Sequence, residues 1–151
     1  MIKTEVLEQQ VLLQDMDKTG LNKIAKIARQ VACKKGEPLF KEKDATQGLW
    51  LIQSGKIEIS RVTADGWRQT LVVLPADHFF GELSILENRK HVASAVALDD
   101  TELLLIPKED FEKMMQEDCE LALCIVKKIA IAMSKNLRRM NDKFLSALIS
   151  Y

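Results

Sequence analysis

The chain has 151 residues, enough for one domain with a buried core, and its hydrophobic fraction of 47% is ordinary for a globular protein. Its 22 basic and 22 acidic residues cancel, so net charge supplies no general attraction to nucleic acid or to a membrane surface. No stretch is apolar enough to span a bilayer, and the N-terminus lacks a signal peptide's apolar core. We therefore expect a cytoplasmic protein with no membrane partner.

The three cysteines are odd in number and do not have the spacing of a metal site. Cys33, Cys119 and Cys124 are therefore interpreted as buried or free thiols in a reducing compartment.

The first 30 residues predict two helices. Residues 5–16 carry regularly spaced apolar side chains and indicate a short amphipathic helix. Either Asp17 or Thr19 caps the second helix, because both side chains accept hydrogen bonds from free backbone amides. One face of this helix carries Leu21, Ile24, Ala25, Ile27 and Ala28.

From about residue 31 the pattern changes to short runs of strand-forming residues separated by Gly, Pro and Asp turns. Many short strands with regular turns predict a β-sandwich or barrel. The predicted strands are Gln30–Lys34, Pro38–Lys41, Leu49–Gln53, Lys56–Val62, Arg68–Leu74, Val92–Leu98 and Thr101–Ile106.

Two helices are predicted after the strands. Pro107 suits a helix start, so residues 107–116 form a short helix, and Asp118 caps a long one. Apolar residues in the long helix repeat at spacings of four and three, which predicts a coiled-coil seam and a homodimer. The seam residues are Val126, Ala130, Met133, Leu137, Met140, Phe144 and Ala147. The basic residues Lys127, Lys128, Lys135, Arg138, Arg139 and Lys143 then form a solvated face, which we favour over a contact with nucleic acid or an acidic partner.

The stretch from residue 79 to residue 97 carries the most specific pattern. Gly81 permits a tight turn and close backbone approach, and Glu82–Leu86 then predicts one short helical turn. The first amides of such a turn have no internal partner and attract anions. Glu82 adds an acceptor for hydroxyl groups, and Ser84 adds a hydroxyl beside the free amides.

This stretch resembles the phosphate-binding cassette of cyclic-nucleotide-binding domains, in the segment Phe80-Gly81-Glu82-Leu83-Ser84-Ile85-Leu86 and in the strand Ala93-Ser94-Ala95-Val96-Ala97. Leu49-Trp50-Leu51-Ile52-Gln53-Ser54-Gly55 is similar to another strand of that family. The resemblance implies a mainly β fold with flanking helices: a jelly-roll β-roll (double-stranded β-helix) with N-terminal helices and a long C-terminal helix, as in catabolite activator-type sensor domains. It implies one domain over 1–151, with helices in 1–30, the β-roll in 31–106, the cassette in 80–97 and C-terminal helices in 107–148.

The chain departs from the family pattern at the phosphate site. His91 stands where the family has an arginine, and Val92 stands where it has Ser or Thr. An arginine provides a permanent charge and a fixed fork of donors, which histidine does not. Arg89 is a second candidate cation from the same loop. In an earlier turn, Lys43 and Thr46 stand where the family usually has glycine.

The resemblance implies that Glu82 contacts a ribose hydroxyl and that Asn136 approaches the base. For each residue the structural alternative stays open: a solvated turn carboxylate for Glu82, and a polar residue beside the seam for Asn136. The full ligand-binding set implied for cyclic AMP or cyclic GMP is Phe80, Gly81, Glu82, Leu83, Ser84, Arg89, His91, Val92, Ala93 and Asn136.

The expected function is that of a non-catalytic regulatory domain with a degenerate cassette, no cofactor, and output through its dimer or through another protein. We expect no sequence-specific DNA binding, because the chain has no room for a helix-turn-helix domain after the long helix. One alternative is a ligand-free interaction module on the same fold. A less favoured alternative is a cupin-type metal enzyme, since His78 and His91 form no His-x-His pair.

Overall fold

The computed structural model describes residues 1–149, so the last two residues of the predicted domain lie outside the described part. Its helices are α1 Thr4–Glu8, α2 Lys18–Ile27, α3 Glu82–Glu87, α4 Lys108–Glu117 and α5 Cys119–Ile149, and Val11–Leu13 forms a 3₁₀ turn. Its strands are β1 Arg29–Cys33, β2 Pro38–Phe40, β3 Gly48–Ser54, β4 Lys56–Val62, β5 Arg68–Pro75, β6 Phe79–Phe80, β7 Ser94–Ala97 and β8 Thr101–Pro107.

The strands form two antiparallel sheets, in the orders β1-β8-β3-β6 and β2-β7-β4-β5. Sequential strands are distributed over both sheets, which is the arrangement of a jelly-roll β-roll. The predicted fold class is confirmed.

Strand β3 explains why the chain has two apolar cores. Successive side chains of a strand point to opposite faces. Leu49 and Leu51 therefore join the core under the helices, whereas Trp50 and Ile52 join the core between the two sheets. All four are buried, which accounts for the uninterrupted apolar run in the sequence.

The prediction of one helix over residues 5–16 is wrong. Helix α1 ends at Glu8, and the following segment hydrogen-bonds to the β-roll instead of continuing the helix. The buried Gln10 donates from Nε2 to the carbonyl of Ile52 at 2.8 Å, and the amide of Val11 donates to the carbonyl of Asp77 at 2.9 Å. Tertiary hydrogen bonds thus replace helical ones here.

The structure also adds one strand, moves the start of another and decides between the two predicted caps of α2. Strand β6, at Phe79–Phe80, was not predicted and pairs with Trp50 and Leu51 of β3. The strand expected from Val92 begins at Ser94. Asp17 is confirmed as the cap of α2, since its carboxylate accepts from the amide of Gly20 at 2.7 Å.

The chain ends in the 31-residue helix α5, whose two halves have different surroundings. Asp118 caps it as predicted, accepting from the amide of Leu121 at 3.1 Å. Leu121, Ile125 and Ile129 pack into the helix-side core, whereas from residue 130 to residue 149 every side chain except the partly buried Ala132 is exposed. None of the helices within residues 1–149 has the length and apolar character needed to cross a membrane.

Candidate functional site

The predicted cassette surrounds a cavity of about 110 Å³ at the start of α3. Eight of the ten predicted ligand-binding residues line it; the exceptions are Arg89 and Asn136. The lining residues are Phe40, Ile59, Phe80, Gly81, Glu82, Leu83, Ser84, His91, Val92 and Ala93.

Gly81 sets the entry to α3 with a left-handed φ of 85°. A Cβ atom at this position would lie 3.1 Å from the carbonyl oxygen of Gly48 and 3.3 Å from Trp50, so glycine also permits close packing on β3. The first helical hydrogen bond runs from the amide of Ile85 to the carbonyl of Gly81 at 3.3 Å. The preceding amides, from Glu82 to Ser84, therefore have no partner within the helix.

The imidazole of His91 is buried within this cavity, with 4% of the residue exposed. Its Nδ1 lies 3.1 Å from Oγ of Ser84, and its ring stacks on Phe40 with centroids 3.5 Å apart and planes 6° apart. Within the described part of the chain, its Nε2 has no hydrogen-bond partner. A buried nitrogen without a partner is the feature of this site that a ligand acceptor would satisfy.

The backbone of His91 is fixed by the loop between β2 and β3. Its amide donates to the carbonyl of Asp44 at 3.0 Å, and its carbonyl accepts from the amide of Lys43 at 2.8 Å. Lys43 has a left-handed φ of 73°, a conformation that favours glycine, the residue the resemblance expects there. The turn therefore has a conformation that glycine adopts readily, although the chain has lysine at this position.

Burial changes the ionisation of both titratable groups that line the cavity. It lowers the pKa of His91 below its ordinary value, and the nearby Asp44 carboxylate opposes this effect only in part. Burial also raises the pKa of the Glu82 carboxyl. The cavity thus holds a neutral imidazole near neutral pH, and no permanently charged guanidinium lines it.

Arg89 lies away from the cavity lining. Its Nε is 2.6 Å from Oε2 of Glu87, and 54% of its side chain is exposed. The suggestion that Arg89 replaces the missing arginine therefore receives no support from this arrangement.

Asn136 of α5 lies at a second, larger cavity of about 370 Å³ between α5 and the β5–β6 region. Its Oδ1 accepts from Arg139 at 3.3 Å. Glu82 lines both cavities and so lies between the cassette cavity and the cavity beside α5.

Sequence reasoning missed two lining residues, Phe40 and Ile59. Phe40 pairs with Ala95 across β2 and β7, and this register brings its ring to His91. An apolar residue at a strand end carries no signal of such a contact, because the stacking partner is remote in sequence. Over residues 1–149, no cluster of three or more His, Cys, Asp or Glu side chains is arranged to hold a metal ion, so the cupin alternative receives no support.

Fold and cassette together define a cyclic-nucleotide-binding regulatory domain. The family model described as "Cyclic nucleotide-binding domain" matches residues 30–118, and the chain belongs to this family.

The chain is similar to curated bacterial regulators and to a solved structure of this family. The chain is 42% identical over 76 residues to the cyclic AMP receptor protein of Thermus thermophilus, covering 50% of this chain and 35% of that protein. It is 35% identical over 112 residues to the anaerobic regulatory protein of Bacillus subtilis, covering 74% and 45%. The crystal structure of the Thermus thermophilus catabolite activator protein superposes with a TM-score of 0.77 at 28% identity, covering 92% of this chain and 63% of that one. The chain therefore spans less than half the length of either curated relative.

Proposed function

We propose that the chain is a regulatory, non-catalytic domain that binds a cyclic nucleotide, cyclic AMP or cyclic GMP, in its cassette. One arrangement carries the proposal: Glu82, Ser84 and the unpartnered Nε2 of His91 meet around one cavity at the start of α3. These groups match the parts of such a ligand, with acceptors for hydroxyls on one side and donors for a phosphate on the other. Residues 1–151 act as one unit, with the cassette in 80–97.

His91 takes the phosphate-facing role in this proposal. When the hydroxyl of Ser84 donates to Nδ1, the proton of the neutral ring is on Nε2, which then donates to a phosphate oxygen. A bound anion also favours the protonated ring and so raises the pKa of His91. Nucleotide binding therefore strengthens as the pH falls.

Glu82 takes the ribose-facing role. Glu82 is partly buried, and the desolvation that raises the pKa of its carboxyl is a cost that a hydroxyl donor from a ligand offsets. A ligand site of a nucleotide's size usually occupies ~300–1,000 Å³. The cassette cavity of about 110 Å³ suits the phosphate, and the adjoining cavity of about 370 Å³ beside Asn136 suits the base.

The second half of α5 supports homodimerisation. Its seam residues Met133, Leu137, Met140 and Phe144 are 41%, 58%, 62% and 65% exposed, so a large apolar stripe has no cover within the described chain. We propose that a second copy covers this stripe and that the signal passes through the dimer or to another protein. Ligand binding changes the output only if the two arrangements of α5 differ in ligand affinity.

Isothermal calorimetry with cyclic AMP and cyclic GMP, at about pH 5.5 and about pH 8, tests the proposal. We expect saturable binding that is tighter at the lower pH, and weaker binding in Glu82→Gln. Glu87→Gln is the matched control, because Glu87 lies on the same short helix but is exposed. Failure of both nucleotides to bind at either pH would reject the proposal.

The small size of the cassette cavity favours a second candidate function, that of a ligand-free dimerisation module. The stacked rings of Phe40 and His91 already occupy the space beside Ser84, while the α5 stripe remains uncovered. This candidate expects the same dimer with no response to nucleotide. The calorimetry and a measurement of molecular mass separate the two.

A further inference from the structure

We propose that Phe40 is the residue that holds the cassette closed: its ring stacks on His91, lines the cavity, and must separate from the imidazole before a ligand enters. The identity of that ligand rests on the proposed function, but the closing role of Phe40 does not.

The first support is the geometry of the two rings. Their centroids are 3.5 Å apart and their planes 6° apart, and Phe40 and His91 are 8% and 4% exposed. Phe40 also approaches Phe80, with centroids 6.0 Å apart. One face of the imidazole is therefore covered by the Phe40 ring.

The second support is that the backbones on both sides are fixed. The loop between β2 and β3 binds the backbone of His91 through Lys43 and Asp44, and Phe40 is paired with Ala95 of β7. The cavity consequently opens by rotation of the rings about their side-chain torsions, with little movement of the loop.

The third support is the small space and the few charged groups around the imidazole. Asp44, from the β2–β3 loop, favours the protonated ring, and Glu82, from α3, lines the same cavity. Val92 and Ala93, on the side of β7, are uncharged. With the Phe40 ring in place, the cassette cavity keeps about 110 Å³, so a nucleotide reaches the ~300 Å³ of an ordinary ligand site only by extending into the second cavity beside Asn136.

The chain has only two histidines, which makes the test direct. Diethyl pyrocarbonate acylates accessible neutral imidazoles, and mass spectrometry reports the rate at each residue. His78 is exposed and serves as the internal reference, whereas His91 is buried. We expect His91 to react on the order of tenfold more slowly than His78 in the wild type, the size of effect that an aromatic stack provides.

Phe40→Leu keeps an apolar side chain and removes the stack. We expect the reaction rate of His91 to rise roughly 2- to 12-fold, and the affinity for cyclic AMP to increase by a similar factor. Leu39→Val is the matched control, because Leu39 precedes Phe40 on β2 but neither lines the cavity nor takes part in the stack. It should leave both quantities unchanged.

A measurement on the wild type keeps the proposal testable if the variant fails to fold. Stacking on a phenyl ring shifts the proton resonances of the imidazole upfield, so His91 should resonate upfield of His78 in the NMR spectrum. Ordinary resonance positions for His91, or equally fast acylation of both histidines in the wild type, would overturn the proposal.

The outcomes also separate this proposal from the proposed function. Equal nucleotide affinity in the wild type and in Phe40→Leu would reject the closing role of Phe40 and keep nucleotide binding. Faster acylation of His91 in Phe40→Leu, with no nucleotide binding to either protein, would support the closing role and reject nucleotide binding.

Discussion

The cassette and the second half of α5 differ in which side chains they bury and which they expose. In the cassette, the chain buries an ionisable imidazole and covers it with an aromatic ring. Along α5, it leaves Leu137, Met140 and Phe144 more than half exposed. The imidazole of the cassette is thus covered by contacts within the chain, whereas α5 presents apolar surface that no described part of the chain covers. Changes in the first region should alter ligand binding and pH dependence, and changes in the second should alter association.

The largest effect is expected from Leu137→Glu, in the middle of the α5 stripe. A carboxylate buried without a partner between two helices typically costs about 3–5 kcal/mol, enough to dissociate a dimer of this kind. Light scattering should show a monomer, and circular dichroism should show an intact β-roll. Lys135→Glu, which lies off the seam on the same helix, should remain dimeric. A wild type that is monomeric at tens of micromolar, about the range in which such contacts are populated, would contradict the dimer.

Glu82→Gln should cost about 1.5–3 kcal/mol of cyclic-nucleotide binding, because a hydrogen bond to a charged acceptor is lost. Calorimetry measures the loss, with Glu87→Gln as the control on the exposed side of α3. A nucleotide that binds both proteins equally would show that Glu82 does not hold the ribose.

His91→Arg should tighten cyclic-nucleotide binding at about pH 8 by roughly 1.5–3 kcal/mol, since the guanidinium adds a permanent charge and a fork of donors. It should also remove the pH dependence between about 5.5 and 8. Wild-type binding that is already tight at the higher pH, and unchanged by acid, would show that another group supplies the charge.

The smallest effect concerns stability without ligand. Because burial lowers the pKa of His91, the unfolded chain takes up the proton first as the pH falls below 6.5, the ordinary value. The free energy of unfolding therefore decreases with acid, by at most about 1.4 kcal/mol for each pH unit from this one group.

Urea denaturation of the wild type and of His91→Gln at several pH values isolates this contribution. The raised pKa of Glu82 acts in the opposite direction and is common to both proteins, so it cancels in the difference. If the free energy of unfolding varied with pH in the same way in the wild type and in His91→Gln, the fold would not lower the pKa of His91.

The sequence by itself determined the class of fold and the turn and short helix that begin at Gly81 and Glu82. Short strand patterns, the Gly81-Glu82 turn and the cap at Asp17 or Thr19 are local signals, and the structure has the turn, the Asp17 cap and every predicted strand, with shifted ends and with β6 in addition. The long helix α5 was also predicted, because its apolar spacing follows from helical geometry, whereas the dimer inferred from that spacing stays a prediction. The roles of the individual site residues stay predictions until a ligand is measured.

Two features depended on tertiary structure alone: the end of the first helix at Glu8, and the stacking of Phe40 on His91 in the cassette. Residues 5–16 have a helical pattern, but the β-roll offers hydrogen bonds to Gln10 and Val11 that end the helix. Likewise, neither Phe40 nor His91 signals a stacked pair in the sequence. Their contact depends on the register of β2 against β7 and on the loop that binds the backbone of His91. Such contacts join residues that are distant in the chain, and local periodicity carries no information about them.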